Sequence, residues 1–196
     1  MLIGIDIDEV LSETIDFALS YHKGKVKGKK LERSQISDYW LPNIPGFEFL
    51  TKDEAPLFFI EALTSPQALE ELQPVAGAYE VLKERKTFGH RFCAITARGE
   101  PTRKSTEERI EKHFPGCFEE IIFCNYYWPE FPKYTKEEIC TKKGIKVFIE
   151  DNQNYAIDLE KLGIKVFLLE KPWNANFKEN EYPGIFKVKK RSDIKL

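Results

Sequence analysis

Asp6 and Asp8 close the first apolar run of the chain, Leu2-Ile3-Gly4-Ile5-Asp6-Ile7-Asp8-Glu9-Val10. Side chains two residues apart on an extended segment point the same way, so both carboxylates leave the strand end together. Clustered carboxylates resist joint ionisation unless a cation or hydrogen-bond donors offset them. Thr96 ends a second apolar run and is followed by Ala97-Arg98-Gly99. A hydroxyl with backbone N–H groups ahead of a helix start suits a phosphate oxygen. Lys133 and Lys136 stand just before or at the start of a helical segment, and Ile149-Glu150-Asp151-Asn152 ends a later run in another acidic pair. Each group also has a plainer reading. The acids could be solvated loop residues, Thr96 a helix cap and the lysines surface charges, while Arg98 could reach a phosphate or pair with an acid on the surface.

The elements that must position these groups follow from periodicity. An opening of Leu, Ile, Gly and Ile reads as a strand buried on both faces, as in parallel sheets. Leu11 to about His22 has helical spacing, and Lys23–Lys30 reads as a charged, Gly-containing loop. From Leu31 to Glu71 strand patterns are weak. Short helices are predicted near Arg33–Ser37, Asp53–Ala62 and Pro66–Glu71, among the aromatics Tyr39, Trp40, Phe47, Phe49, Phe58 and Phe59. From Val75 helices and strands alternate. Val75–Lys86, Pro101–His113, Thr135–Lys143 and Gln153–Leu162 read as helices. Arg91–Thr96, Glu120–Cys124, Lys146–Ile149 and Lys165–Leu169 read as strands, with Ile185–Val188 an added edge strand. Alternation of this kind predicts an α/β fold, a doubly wound parallel sheet with helices on both faces. Asp6, Thr96, Asn125 and Asp151 then cluster along one edge, where open α/β sheets bind their ligands. The predicted core comprises residues 1–11 and 75–196, with a helical cap inserted over residues 12–74.

Asp6-Ile7-Asp8-Glu9-Val10, Thr96, Lys136 and Glu150-Asp151 match, in order, the four signatures of the haloacid dehalogenase superfamily. The chain resembles that superfamily over most of its length, apart from the aromatic insert and the tail. Within it the resemblance is to the C-type 5′-nucleotidases, the 5′(3′)-deoxyribonucleotidase family. It rests on Ile95-Thr96-Ala97-Arg98, on Tyr134-Thr135-Lys136-Glu137-Glu138-Ile139-Cys140, on Val147-Phe148-Ile149-Glu150-Asp151-Asn152, and on Lys171-Pro172-Trp173-Asn174. Glu9 stands where many of those nucleotidases carry a small residue.

The resemblance implies hydrolysis of a phosphomonoester through an aspartyl-phosphate on Asp6, which splits one hard displacement into two. Asp8 fits the proton donor to the departing alkoxide, and haloacid dehalogenases proper lack an acid at this place. Mg²⁺ is the implied cofactor, bound by Asp6, the backbone carbonyl of Asp8 and Asp151, with Glu150 orienting ligands or waters. Thr96, Ala97, Arg98 and Lys136 would hold the phosphoryl oxygens, with Lys136 also screening Asp6 from the acidic pair. Nucleoside 5′-monophosphates are the leading substrate class. A sugar phosphate or other small phosphorylated metabolite is an alternative, and so is a phosphate-binding module with little turnover. The insert, from Tyr39 to Phe59, is expected to read the leaving group.

Composition narrows the partners. The 196 residues carry 30 basic and 32 acidic side chains, a net charge of −2, which argues against affinity for a nucleic-acid polymer. No apolar stretch approaches the roughly 18 residues needed to span a bilayer. The expectation is therefore a cytoplasmic protein with a small-molecule substrate and no membrane partner, a homodimer being left open. The 4 cysteines show no CxxC spacing and read as buried, reduced thiols. His22, His90 and His113 show no ligand spacing and read as surface or partly buried residues.

Overall fold

β1 (Leu2–Ile5), β2 (Arg91–Thr96), β3 (Phe118–Phe123), β4 (Val147–Glu150), β5 (Lys165–Leu169) and β6 (Ile185–Val188) form one sheet in the spatial order β3-β2-β1-β4-β5-β6. Every neighbouring pair is parallel. The computed structural model describes residues 1–22, 33, 36–38, 40–44, 47, 50–51, 53–126, 128, 130–189 and 193–194. Because the chain moves from β1 to one side and returns through β4 to the other, the strand order switches at β1. That is where an open α/β sheet leaves a crevice at its carboxyl edge.

The central strands have no polar face. On β2, Phe92 and Ala94 join one buried cluster while Cys93 and Ile95 join another, so successive side chains feed cores on opposite sides of the sheet. Gly4 is required by this packing. A Cβ there would fall 2.4 Å from a ring carbon of Phe148, whose ring lies against the β1 backbone.

The helices are α1 (Thr14–Tyr21), α2 (Glu54–Leu63), α3 (Pro66–Glu71), α4 (Ala78–Thr87), α5 (Arg103–His113), α6 (Lys136–Lys143) and α7 (Gln153–Glu160). α1 and α4 begin later than periodicity predicts, and so does α5. Leu11–Glu13 is spent on a crossing rather than on α1. Ser12 bridges Asp8 and Pro74, Glu13 N–H donates to Gln73, and Val75 N–H donates to Leu11. Those bonds tie the two chain crossings between core and insert together, and they also delay α4 past Val75. Ahead of α5, Glu100–Thr102 winds as a 3₁₀ turn around Pro101.

The insert has its own apolar cluster, including Phe17, Leu41, Phe47, Phe58 and Leu72, and a single residue of the C-terminal loop, Trp173, completes it. His22 is buried there rather than at the surface, its Nε2–H donating to the Phe58 carbonyl at 2.9 Å with its ring stacked on Phe58. The loop expected over Lys23–Lys30, the aromatics Tyr39 and Phe49, and Ser34 and Gln35 of the helix expected near Arg33–Ser37 lie outside the described residues. All 4 cysteines are buried and free. Among the described residues no helix is long and apolar enough to cross a membrane.

Candidate active site

Lys136 is the first residue of α6, and its position follows from the cap before it. Thr135 Oγ1 accepts Glu138 N–H at 3.1 Å while Glu138 Oε2 accepts Thr135 N–H at 2.8 Å, a reciprocal capping box that fixes the helix start. From there the Lys136 side chain runs inward to the carboxyl ends of β1 and β4. Its Nζ lies 2.6 Å from Asp6 Oδ1 and 2.6 Å from Glu150 Oε2, with only 1% of the residue exposed. The ammonium also sits 4.5 Å from the centroid of the Tyr155 ring. Lys133, the competing lysine of the sequence reading, is exposed.

Asp6, Glu150 and Asp151 are buried and offer carboxylate oxygens that all lie within 4.8 Å of one another. Glu150 has both oxygens engaged, Oε2 by Lys136 and Oε1 by the N–H groups of Asp151 and Asn152 at 3.0 and 3.1 Å. Asp151 accepts the Trp173 indole N–H on Oδ2 at 3.0 Å. Among the described residues, no hydrogen bond falls on Asp6 Oδ2 or Asp151 Oδ1.

Burial dominates the electrostatics. It pushes the Asp6 carboxyl up to about 7, with Glu150 and Asp8 adding to the shift and Lys136 opposing it. Asp151 is raised well above the usual carboxylate range, first by burial and then by Glu150 and Asp6. Burial works against the Lys136 ammonium, but Asp6 and Glu150 outweigh it and hold the lysine firmly protonated. One ammonium cannot balance three close carboxylates. An all-oxygen donor set of this density therefore fits a hard divalent cation, and the two carboxylate oxygens without hydrogen bonds, one each on Asp6 and Asp151, are the ones free to bind it.

Asp8 meets different partners. Arg98 Nη2 donates to its Oδ1 at 2.7 Å, and Arg98 Nε lies 3.1 Å from its Oδ2. Thr14 Oγ1 adds a bond to Oδ1 at 2.6 Å. Burial works against ionisation, yet the Arg98 guanidinium and these hydrogen bonds hold the Asp8 carboxyl below its usual range. Arg98 is itself buried and donates through Nη1 to Thr106 at 2.8 Å, so it is no surface charge. Thr96 is fully buried, its Oγ1 accepting Arg98 N–H at 3.2 Å. Ala97, Arg98 and Gly99 reach the cavity wall.

That cavity, of about 180 Å³, has the carboxylates and Lys136 at one end. Ala55, Pro56, Phe59, Ile60 and Leu63 of α2, together with Trp40, form an apolar wall from the insert. Trp128 supplies a wall from the core. Gly99 makes room for it, since a Cβ there would lie 1.9 Å from the indole ring. Of the insert aromatics expected to read the leaving group, Trp40 and Phe59 line this cavity, whereas Phe47 and Phe58 are spent on the insert's own core.

Trp128, Thr14 and Glu9 carry parts of the site that periodicity does not flag. Glu9 adopts a left-handed backbone, φ +61°, and is buried. Its Oε1 accepts Ile15 N–H at 2.8 Å in the first turn of α1, and its carboxylate pairs with Arg33 and, at 3.5 Å, with Lys171. An acid at the strand end that turns back to cap the next helix was the available signal.

No protein-family profile matches this chain, and no curated protein matches it in sequence. Solved structures do. A predicted phosphatase from Clostridium acetobutylicum is similar with a TM-score of 0.68 at 13% identity, over 98% of this chain and 94% of that one. A haloacid dehalogenase-like family hydrolase from Streptococcus pneumoniae has a TM-score of 0.68 at 14% identity, over 96% and 93%. A predicted phosphoglycolate phosphatase from Haemophilus somnus 129pt has a TM-score of 0.57 at 17% identity, over 87% and 85%. The fold is that of the haloacid dehalogenase-like hydrolases. At these identities the likeness speaks to the fold alone.

Proposed function

We propose that this chain is a Mg²⁺-dependent phosphomonoesterase that works through an aspartyl-phosphate on Asp6, with nucleoside 5′-monophosphates as its leading substrate class. The observation that supports it is the cluster of Asp6, Glu150 and Asp151 around Lys136, open to a cavity at the carboxyl edge of the sheet. Asp6, Asp151 and the backbone carbonyl of Asp8 would hold Mg²⁺, which when bound would supply the positive charge that an anion needs to approach a phosphate dianion. The Asp6 carboxylate attacks phosphorus, and the bond from phosphorus to the leaving oxygen breaks as the new one forms. Asp8 gives a proton to the departing alkoxide and later takes one from the water that hydrolyses the aspartyl-phosphate. Arg98 favours the ionised form of Asp8, the form that takes the proton from water, and the proton that Asp8 gives the departing alkoxide enters with the phosphomonoester monoanion. Lys136 offsets the charge of Asp6 and Glu150 and holds the phosphoryl oxygens, beside the N–H of Ala97.

The wall around the leaving group supports a flat, apolar moiety. Trp40, Phe59 and Trp128 line it with aromatic side chains, and the α2 side chains there offer a polyol no hydrogen-bond partners. A second reading, another small phosphorylated metabolite such as a sugar phosphate, is favoured by the likeness to a structure described as a phosphoglycolate phosphatase.

The test is phosphate release from an aryl phosphate with Mg²⁺ and with chelator, followed by a panel of nucleotides and sugar phosphates. Asp6→Asn should fold and lose turnover, because an amide is a poor nucleophile. Near wild-type rates in a folded Asp6→Asn protein overturn the mechanism. Preference for sugar phosphates over nucleotides would replace the substrate class while leaving the chemistry intact.

A further inference from the structure

Trp173 lies in the loop after β5, on the 3₁₀ turn Pro172–Asn174, far in sequence from the motifs that carry the chemistry. Its indole N–H is shared between two acceptors of one residue, Asp151 Oδ2 at 3.0 Å and the Asp151 carbonyl at 3.2 Å. Asn174 Nδ2 reinforces the same point, donating to the Asp151 carbonyl and to the Leu169 carbonyl at 2.8 Å each. Asn174 is fully buried, and its Oδ1 accepts Lys171 N–H at 3.0 Å, so the turn is closed on itself. The ring of Trp173 meanwhile packs in the apolar cluster of the insert, the one member of that cluster from beyond β4 among the described residues.

These contacts do two things at once. The indole occupies Oδ2 of Asp151, which restrains the carboxylate and leaves Oδ1 without a hydrogen bond among the described residues. Asp151 is a buried carboxylate whose ionised form is disfavoured by its surroundings, and an N–H donor is the kind of partner that offsets such a charge. The same side chain is clamped by the hydrophobic core of the insert, so the packing of the insert is transmitted to an oxygen of the cation-binding cluster. Apolar packing by itself would be satisfied by a phenyl ring, whereas the hydrogen bond to Asp151 needs the indole nitrogen.

We infer that Trp173 is a positioning residue for the metal, the link through which the insert holds Asp151 in its binding orientation. The inference rests on the metal-dependent reading above. Groups that orient a ligating carboxylate typically contribute about 10- to 100-fold in metal affinity. Trp173→Phe keeps a ring in the cluster and removes only the donor. Titration calorimetry of Mg²⁺ into the substrate-free protein should therefore show about 10- to 100-fold weaker binding in Trp173→Phe than in wild type. In an Asp151→Ala background the same substitution should change affinity less than about twofold. In the wild-type protein itself, the indole ¹H–¹⁵N resonance of Trp173, assigned by elimination with Trp40→Phe and Trp128→Phe, should shift as Mg²⁺ is added. This second measurement does not depend on the folding of Trp173→Phe. Equal Mg²⁺ affinity in folded Trp173→Phe, or an indole resonance that stays fixed while wild type binds Mg²⁺, overturns the inference and leaves the phosphatase reading standing. A wild-type protein that takes up no divalent cation overturns both.

Discussion

Arg98 lays its guanidinium across both oxygens of the Asp8 carboxylate, joining the ends of β1 and β2 over 90 residues of chain. Thr106 anchors Arg98 Nη1, and Thr14 donates to the same Asp8 oxygen that Arg98 Nη2 holds, so the pair is braced by α5 and by the first turn of α1. The arrangement favours the ionised carboxylate of Asp8. It also spends Arg98 on an acid instead of leaving it as a free phosphate ligand.

Removing that brace should be felt in catalysis. Hydrogen bonds to charged groups are worth about 1.5–3 kcal/mol, or roughly ten- to a hundredfold. Arg98→Gln should lower kcat/KM by that order on an aryl phosphate. Arg98→Lys should recover only part of it, because an ammonium cannot span both carboxylate oxygens. Steady-state rates for the two variants check this, and full activity in Arg98→Lys would show that the bidentate geometry is dispensable.

Lys136 and Lys133 should differ sharply. Lys136 is buried between two acids, and deleting one partner of a buried ion pair typically costs about 3–5 kcal/mol because the remaining charge is left uncompensated. Lys136→Ala should therefore lose stability of that order in urea, along with its turnover. Lys133→Ala, at an exposed position, should change stability by no more than about 0.5 kcal/mol. Parallel denaturation curves for the two proteins decide the point.

The aromatic residues should separate into two classes. Phe47 and Phe58 fill the core of the insert, so their replacement by Ala should cost about 3–5 kcal/mol of stability. Trp40, Phe59 and Trp128 line the cavity, where stacking of a base is worth about 1–3 kcal/mol. At least one of the three Ala variants should raise KM for nucleotides about tenfold or more while leaving a small aryl phosphate nearly unaffected. Unchanged relative rates across the panel in all three variants would remove the support for a base-reading wall.

Thiol chemistry tests the core independently of function. Burial pushes Cys93 up to about 11 and Cys124 and Cys140 up to about 12, and raises Cys117 as well. A raised thiol pKa keeps the neutral, unreactive form at pH 8, and native packing blocks access. A disulfide-exchange reagent at pH 8 should find almost no reactive thiol in the folded protein and all 4 after unfolding. Rapid labelling of a native cysteine would contradict the packing of β2 or α6.

Much of the fold was legible because its signals are local. Buried strands announce themselves as short apolar runs, and Arg91–Thr96, Lys165–Leu169 and Ile185–Val188 keep the bounds that periodicity predicts. Where bounds moved, as at α1 and α4, the cause was a non-local pairing of Leu11–Glu13 with Gln73–Val75 that no periodicity contains.

The sequence by itself determined that Asp6, Thr96 and the Glu150-Asp151 pair share one edge, since parallel strands all end on the same side and each run ends on those residues. Tertiary structure alone decided the partners. It set Lys136 between Asp6 and Glu150, gave Arg98 to Asp8, sent Phe47 and Phe58 to the core, brought Trp128 onto Gly99 and set Trp173 against Asp151. A lysine, an arginine or an aromatic ring reads the same at the surface, in a core or in a cavity. What distinguishes those fates is burial and hydrogen bonding between elements up to 130 residues apart, and those exist only once the sheet has closed its two layers of helices around them.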